Sequence, residues 1–406
     1  MSPLKGWPLI ATMCVGQVGN LLPHVVVPAI LAQHLMPLWH LSAAQGGLMA
    51  SGYAFGYMVA VPVLTTLTDR IDARRILLIG SIVSGLATVA FGIFAQGFWS
   101  ATAIWTIAGI GFAGAYMPGL KALTDRLPAG DSSRAVTLYT SSFSFGVGFS
   151  FLVAQLAAEL WGWRAAFLVT GIGPAAMVVA CVVMAARQPE PRAGRLLDFA
   201  PVLRNREAFG YILGYGAHCF ELYAIRTWIV GFWTFVVARQ TQHTFLTPLL
   251  VSFGFAILAM PASILGNEAA IRFGRHYAIS LVMIASACVA LAIGFNVNAS
   301  PILLASLLLL YSLTVPADSG ALTAGMSAAA SPAHRGATLA VHSTVGFGLS
   351  AAGGWGIGVT LDAAGGPQST SGWFAAFCVM AAGISLGPVA LWWSRACPSR
   401  RSVPAE

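Results

Sequence analysis

The stretch PVLTTLTDRIDARR, Pro62 to Arg75, packs Asp69, Arg70, Asp72, Arg74 and Arg75 into seven residues between two long apolar runs. A charge knot of this density between two membrane-length segments reads as a tight turn joining two spanning helices on the cytoplasmic side. Roughly two hundred residues later the chain partly repeats it in Gly266, Asn267, Glu268, Arg272, Gly274 and Arg275, again between apolar runs. That echo makes the chain a duplication.

Further echoes keep the register. Arg134-Ala135 recurs as Arg335-Gly336, and Gly162-Trp-Arg-Ala-Ala-Phe167 recurs as Gly372-Trp-Phe-Ala-Ala-Phe377. The run from Arg187 to Glu207 is the longest hydrophilic one, and Pro189, Pro191 and Pro201 keep it from continuing as one helix. It divides the chain into an N-terminal bundle over 1–186, a linker over 187–207, a C-terminal bundle over 208–394 and a tail over 395–406.

Composition agrees with a membrane solvent. The 406 residues are 57% hydrophobic and 8% charged, with a mean hydropathy of +0.79. A water-facing domain carries about 25% charged residues. Apolar segments of spanning length are expected at 8–31, 45–67, 76–96, 100–122, 135–158, 165–186, 208–237, 246–267, 277–297, 301–325, 337–361 and 372–394. The fold class is therefore an all-α integral membrane protein of twelve transmembrane helices in two pseudo-symmetric six-helix halves. With the N-terminus placed inside, eighteen of the 21 Lys and Arg fall on the cytoplasmic side, as the positive-inside rule requires. Both termini are expected in the cytoplasm, the membrane being a bacterial-type inner membrane. The first apolar run reads as a span and not as a removed leader.

Other classes find little support. The net charge of +8 is spread over short turns and forms no nucleic-acid-reading element. The six cysteines make no CxxC pair, so neither a disulfide framework nor a zinc site is expected. No nucleotide-binding loop, nucleophile–base pair or metal cluster stands out, so the chain reads as a non-enzyme without a cofactor.

Ionisable groups inside spans are costly and mark function or tight internal pairing. Span 7 carries His218, Glu221 and Arg226, span 10 carries Asp318 behind Pro316, and span 1 carries His24 between Pro23 and Pro28, with Gln17 and Asn20 below it. Rise along the helices puts Asp318 at the depth of His218, and Arg226 at the depth of His24.

Two six-span halves with a basic turn between spans 2 and 3 resemble the major facilitator superfamily of secondary transporters. The turn matches that family's signature at Asp69, Arg70, Arg74 and Arg75 and departs from it at Thr65 and Asp72, where the family has Gly. The resemblance implies two bundles rocking about a midplane site lined by spans 1, 4, 7 and 10, with Asp69, Arg70, Arg74 and Arg75 as a conformational latch. It points to Arg226, Glu221, His218, His24, Asn20, Asp318 and Tyr116 as substrate-binding residues, and to Glu221, Asp318 and His218 as proton carriers. The function so implied is alternating-access transport of a small organic solute; the planar fork of Arg226 favours an anion, the buried His218, Glu221 and Asp318 favour protons as the coupling ion, and a monomer is expected. The alternative is export of lipophilic or cationic compounds. A ligand sensor is a further class, which the short loops disfavour.

Overall fold

The structure, a computed structural model, describes residues 4–127, 129–189, 199–240, 245–331 and 334–395. Cys397, the linker charges Arg192 and Arg195, and the tail charges Arg400 and Arg401 lie outside the described residues. In a lipid solvent every backbone polar group must be satisfied within the segment, so the long apolar runs become helices. No strand occurs among the described residues.

Among the described residues twelve helical passes follow in order. They are α1 (Gly6–Leu21 with Val26–Trp39), α2 (Ala43–Leu67), α3 (Ala73–Phe94), α4 (Phe98–Thr124), α5 (Ala129–Trp161) and α6 (Trp163–Val183) in the first half. The second half holds α7 (Arg206–Ala238), α8 (Pro248–Phe273), α9 (Arg275–Phe295), α10 (Pro301–Ala329), α11 (Arg335–Ala363) and α12 (Thr370–Arg395). Ten of these are apolar and long enough to cross a membrane on their own, and the bent α1 pair makes an eleventh. The pass that falls short is α11, whose length is diluted by Gly, Ser, Thr and Ala. Small residues suit it because it is wedged against α2 and α7.

Helix starts are built from local caps. Ser42 and Gln45 form a reciprocal capping box at α2, and Asp72 caps α3 through the Arg74 N–H. Thr247 and Ser300 cap α8 and α10 just ahead of Pro248 and Pro301, where a proline loses no helical hydrogen bond. Gly162 turns α5 into α6 at φ +88, a left-handed conformation that glycine adopts without a Cβ penalty.

Two spans expected to be continuous are broken. α1 bends by 48° after Leu21, because Pro28 has no N–H to give to the His24 carbonyl. α10 breaks between Thr314 and Ser319, where Pro316 cannot bond the Ser312 carbonyl. The breaks put His24 and Asp318 at interrupted backbone deep in the protein, each no more than 3% exposed.

Large apolar side chains such as Leu86, Leu160, Val182, Leu265 and Ile302 stand exposed on the outer surface, where lipid rather than water meets them. Exposed tryptophans mark the helix ends: Trp7, Trp392 and Trp393 at the end bearing the basic turn, Trp99 and Trp161 at the far end. Indoles favour these two levels because one part of the ring system is apolar and the other can be hydrated.

The halves meet along two seams. Antiparallel α2 and α11 come so close that a Cβ on Gly358 would strike the Ala43 carbonyl, and one on Gly47 the Gly354 carbonyl. Ser51 Oγ donates to the Ala351 carbonyl at 2.7 Å, and Tyr57 stacks on Phe347 at 3.7 Å between centroids. The second seam joins α5 to α8, with Gln155 Nε2 donating to Ser252 Oγ at 2.9 Å.

Candidate functional site

The midplane cluster grows from α7, whose side chains are buried along most of its length. Arg226 is 4% exposed, its guanidinium lies 5.7 Å from the Tyr223 ring, and its Nε has no hydrogen-bond partner. No carboxylate reaches within ion-pair distance of it among the described residues. Tyr223 Oη lies 2.9 Å from His24 Nε2, so Tyr223 joins Arg226 of one half to His24 of the other. Aromatic rings close around that imidazole, with Tyr53, Phe112 and Phe143 at centroid distances of 5.2, 5.1 and 5.3 Å.

Tyr116 lies over Phe112, nearly parallel at 6.0 Å, and edge-on to Phe143 at 5.1 Å. Asn20 is 1% exposed and both polar atoms of its amide lack a hydrogen-bond partner, as do His24 Nδ1 and the hydroxyl of Tyr57. Buried polar atoms without partners are uncommon in folded proteins and mark places where water or a ligand completes the set. Gln17 is used differently, its Oε1 accepting from Tyr139 Oη at 2.7 Å.

The acids go elsewhere. His218 Nδ1 lies 2.7 Å from Asp318 Oδ1, both side chains being 1% exposed, so the two groups matched by depth in the sequence do meet. Glu221 turns into the second half, where Ser286 Oγ and Tyr311 Oη donate to its Oε1 at 2.9 and 2.8 Å. It therefore stands apart from Arg226, five residues further along the same helix. Tyr215 lies face to face with both His218 and His342, at 5.6 and 3.8 Å.

At the basic turn, Asp69 and Arg74 are half-buried, whereas Arg70 and Arg75 are exposed. A Cβ on Gly336, in the first turn of α11, would sit 3.8 Å from Asp69 Oδ2, which puts this carboxylate at the α2–α11 seam. Asp72 is tied in more firmly than the sequence suggested. Arg126 Nη2 donates to its two carboxylate oxygens at 2.7 and 2.9 Å, and the Arg187 N–H adds a bond of 2.8 Å. Burial alone would raise the Asp72 carboxyl, but these donors outweigh it and hold the group below its usual range. Asp72 thus ties the start of α3 to the chain just past the ends of α4 and α6.

Clefts at the ends of the second half, one lined by Asn298, Thr370 and Phe374 and one by Arg204, Asn205 and His334, lie away from the midplane cluster. Among the described residues no three His, Cys, Asp or Glu side chains stand close enough to hold a metal ion.

Two solved structures share this architecture. Both are of a bacterial homologue of the human lysosomal transporter Spinster, inward-facing. The unoccupied form matches with a TM-score of 0.75 at 17% identity, over 97% of this chain and 98% of that one. The occupied form matches with a TM-score of 0.70 at 16% identity, over 95% and 94%. The family model described as Major Facilitator Superfamily matches residues 9–260, more than half of the sequence. With twelve helical passes and that match, the chain belongs to the Major Facilitator Superfamily.

Proposed function

We propose that this secondary transporter carries a small organic anion across a bacterial-type inner membrane by alternating access, with Arg226 as the anchor of the anionic group and protons as the coupling ion. The observation that carries the reading is the buried Arg226 guanidinium, which has a free Nε and no carboxylate partner among the described residues. An uncompensated charge in a low-dielectric interior is unstable until an opposite charge arrives, and a guanidinium fits a carboxylate as a planar fork. His24, Tyr223 and Asn20 line the approach, while the His218–Asp318 pair and Glu221 take the proton-carrying role.

Export of cations is less well supported, because Glu221 already accepts from Ser286 and Tyr311 and Asp318 already faces His218. In the proposed orientation the basic turn and both termini face the cytoplasm, the halves divide at 187–207, and the working unit is a monomer. Replacing Arg226 by Gln, with membrane insertion verified, tests the reading in proteoliposomes. Loss of anion uptake together with anion-induced thermal stabilisation supports it. Unchanged uptake overturns it.

A further inference from the structure

We infer that the carried anion is a monocarboxylate with a flat aromatic body. This rests on the anion reading above and adds the number of charges and the shape of the remainder.

The charge number follows from what is left unpaired. Arg226 is the one cation at this level without a carboxylate among the described residues, and the nearby acids are engaged with Ser286, Tyr311 and His218. One carboxylate completes the balance. A second would be buried with no cation to meet it, and a buried unpaired charge is strongly disfavoured. Dicarboxylates and phosphates, with their higher charge, fit poorly for the same reason.

The shape follows from the rings. Beyond Tyr223 a cluster of rings comes from both halves: Tyr53, Tyr57, Phe112, Tyr116 and Phe143 from the first, Phe347 from the second. Tyr57 and Phe347 face each other at 3.7 Å and 19° across the α2–α11 seam, and Tyr223 stands edge-on to Phe347 at 5.8 Å. Rocking of the halves must part that stack, and a flat ring can take up the faces so released. Aromatic pairs add attraction beyond buried area, which an aliphatic acid of equal charge cannot collect. The unpartnered hydroxyl of Tyr57 and the Asn20 amide then offer hydrogen bonds to a polar substituent on the ring.

The test is a thermal-shift series on the purified full chain with benzoate, 4-hydroxybenzoate, benzamide, phthalate, succinate, acetate and benzylamine. Benzoate should raise the midpoint in proportion to its concentration over its affinity, 4-hydroxybenzoate should do so at lower concentration, and both shifts should vanish in Arg226→Gln. Phe347→Leu, which keeps an apolar side chain at the seam, should reduce several-fold the benzoate shift measured against the variant's own ligand-free midpoint. Benzamide should give no shift, which separates charge from shape. If succinate, phthalate or acetate stabilises as well as benzoate, the aromatic monocarboxylate is wrong while the anion reading survives. If benzylamine or benzamide is the best ligand, both are wrong.

Discussion

Asp362, at the far end of α11, reaches across the seam to Ala43, the first residue of α2. Its Oδ1 accepts the Ala43 N–H at 2.9 Å and its Oδ2 the Ala44 N–H at 2.7 Å. A helix start has unsatisfied N–H groups and a partial positive charge, so a carboxylate from the other half caps both at once. Asp69, just past the other end of α2, lies beside the first turn of α11. Such a cap is worth about 0.5–2 kcal/mol, enough to shift a two-state equilibrium several-fold. Asp362→Ala should therefore favour the state that is open at the far end. Gln33 Nε2 meets Thr234 Oγ1 at 3.2 Å on a separate part of that end and serves as a reporter. A cysteine placed at Thr234 should react faster with a membrane-impermeant maleimide in the Asp362→Ala background. An unchanged rate would reduce Asp362 to a local cap.

The His218–Asp318 contact makes a different prediction. A buried acid and imidazole 2.7 Å apart can share or pass one proton, and Asp318 sits at the broken backbone of α10. Asp318→Asn keeps the shape and removes the carboxylate. Accumulation of substrate driven by an imposed pH gradient should fall about ten-fold or more, while exchange of labelled for unlabelled substrate persists. Gradient-driven accumulation at the wild-type level would make the pair a packing device.

Much of this was legible before the structure. The charge knot at Asp69–Arg75 and the apolar segment lengths specify the passes, and helical rise alone matched His218 to Asp318. The direction of Glu221 was not legible, because α7 is buried on nearly all sides and no polar face tells one carboxylate where to point. The link from Arg226 to His24 was only half visible, since it runs through Tyr223, one of many aromatics. Asp362 escaped notice because its partners are backbone N–H groups, which every residue type offers. Asp72 read as a departure from a glycine signature, and its partner Arg126 lies fifty-four residues away.

Asp72 gives a prediction outside the membrane. Its cap on α3 and its bonds to Arg126 hold the basic end of the first half together. Asp72→Ala should destabilise the protein by about 2–4 kcal/mol, the loss of an N-cap adding to a buried guanidinium left unpaired. Because the folded-state carboxyl titrates below its ordinary value of 3.8, its stabilising contribution is complete above that value. It is lost only as the pH falls through the lowered one. The thermal midpoint difference between wild type and Asp72→Asn should therefore stay constant from about pH 5 to 8 and shrink below about pH 4. A difference that grows on acidification would contradict the arrangement.

Gly266 offers the sharpest test of how α10 is held at its break. A Cβ on this residue of α8 would run into the Ala317 carbonyl, one residue before Asp318. The absent side chain lets α8 press on the interrupted backbone and fixes where the Asp318 carboxylate stands. Gly266→Ala should cost about 1–3 kcal/mol through overpacking and should impair gradient-driven transport as Asp318→Asn does. Gly254, on the same helix, has nothing within 4 Å of its own Cβ position, so Gly254→Ala should leave both properties intact. Equal behaviour of the two variants would show that the contact at Ala317 does not set the position of Asp318.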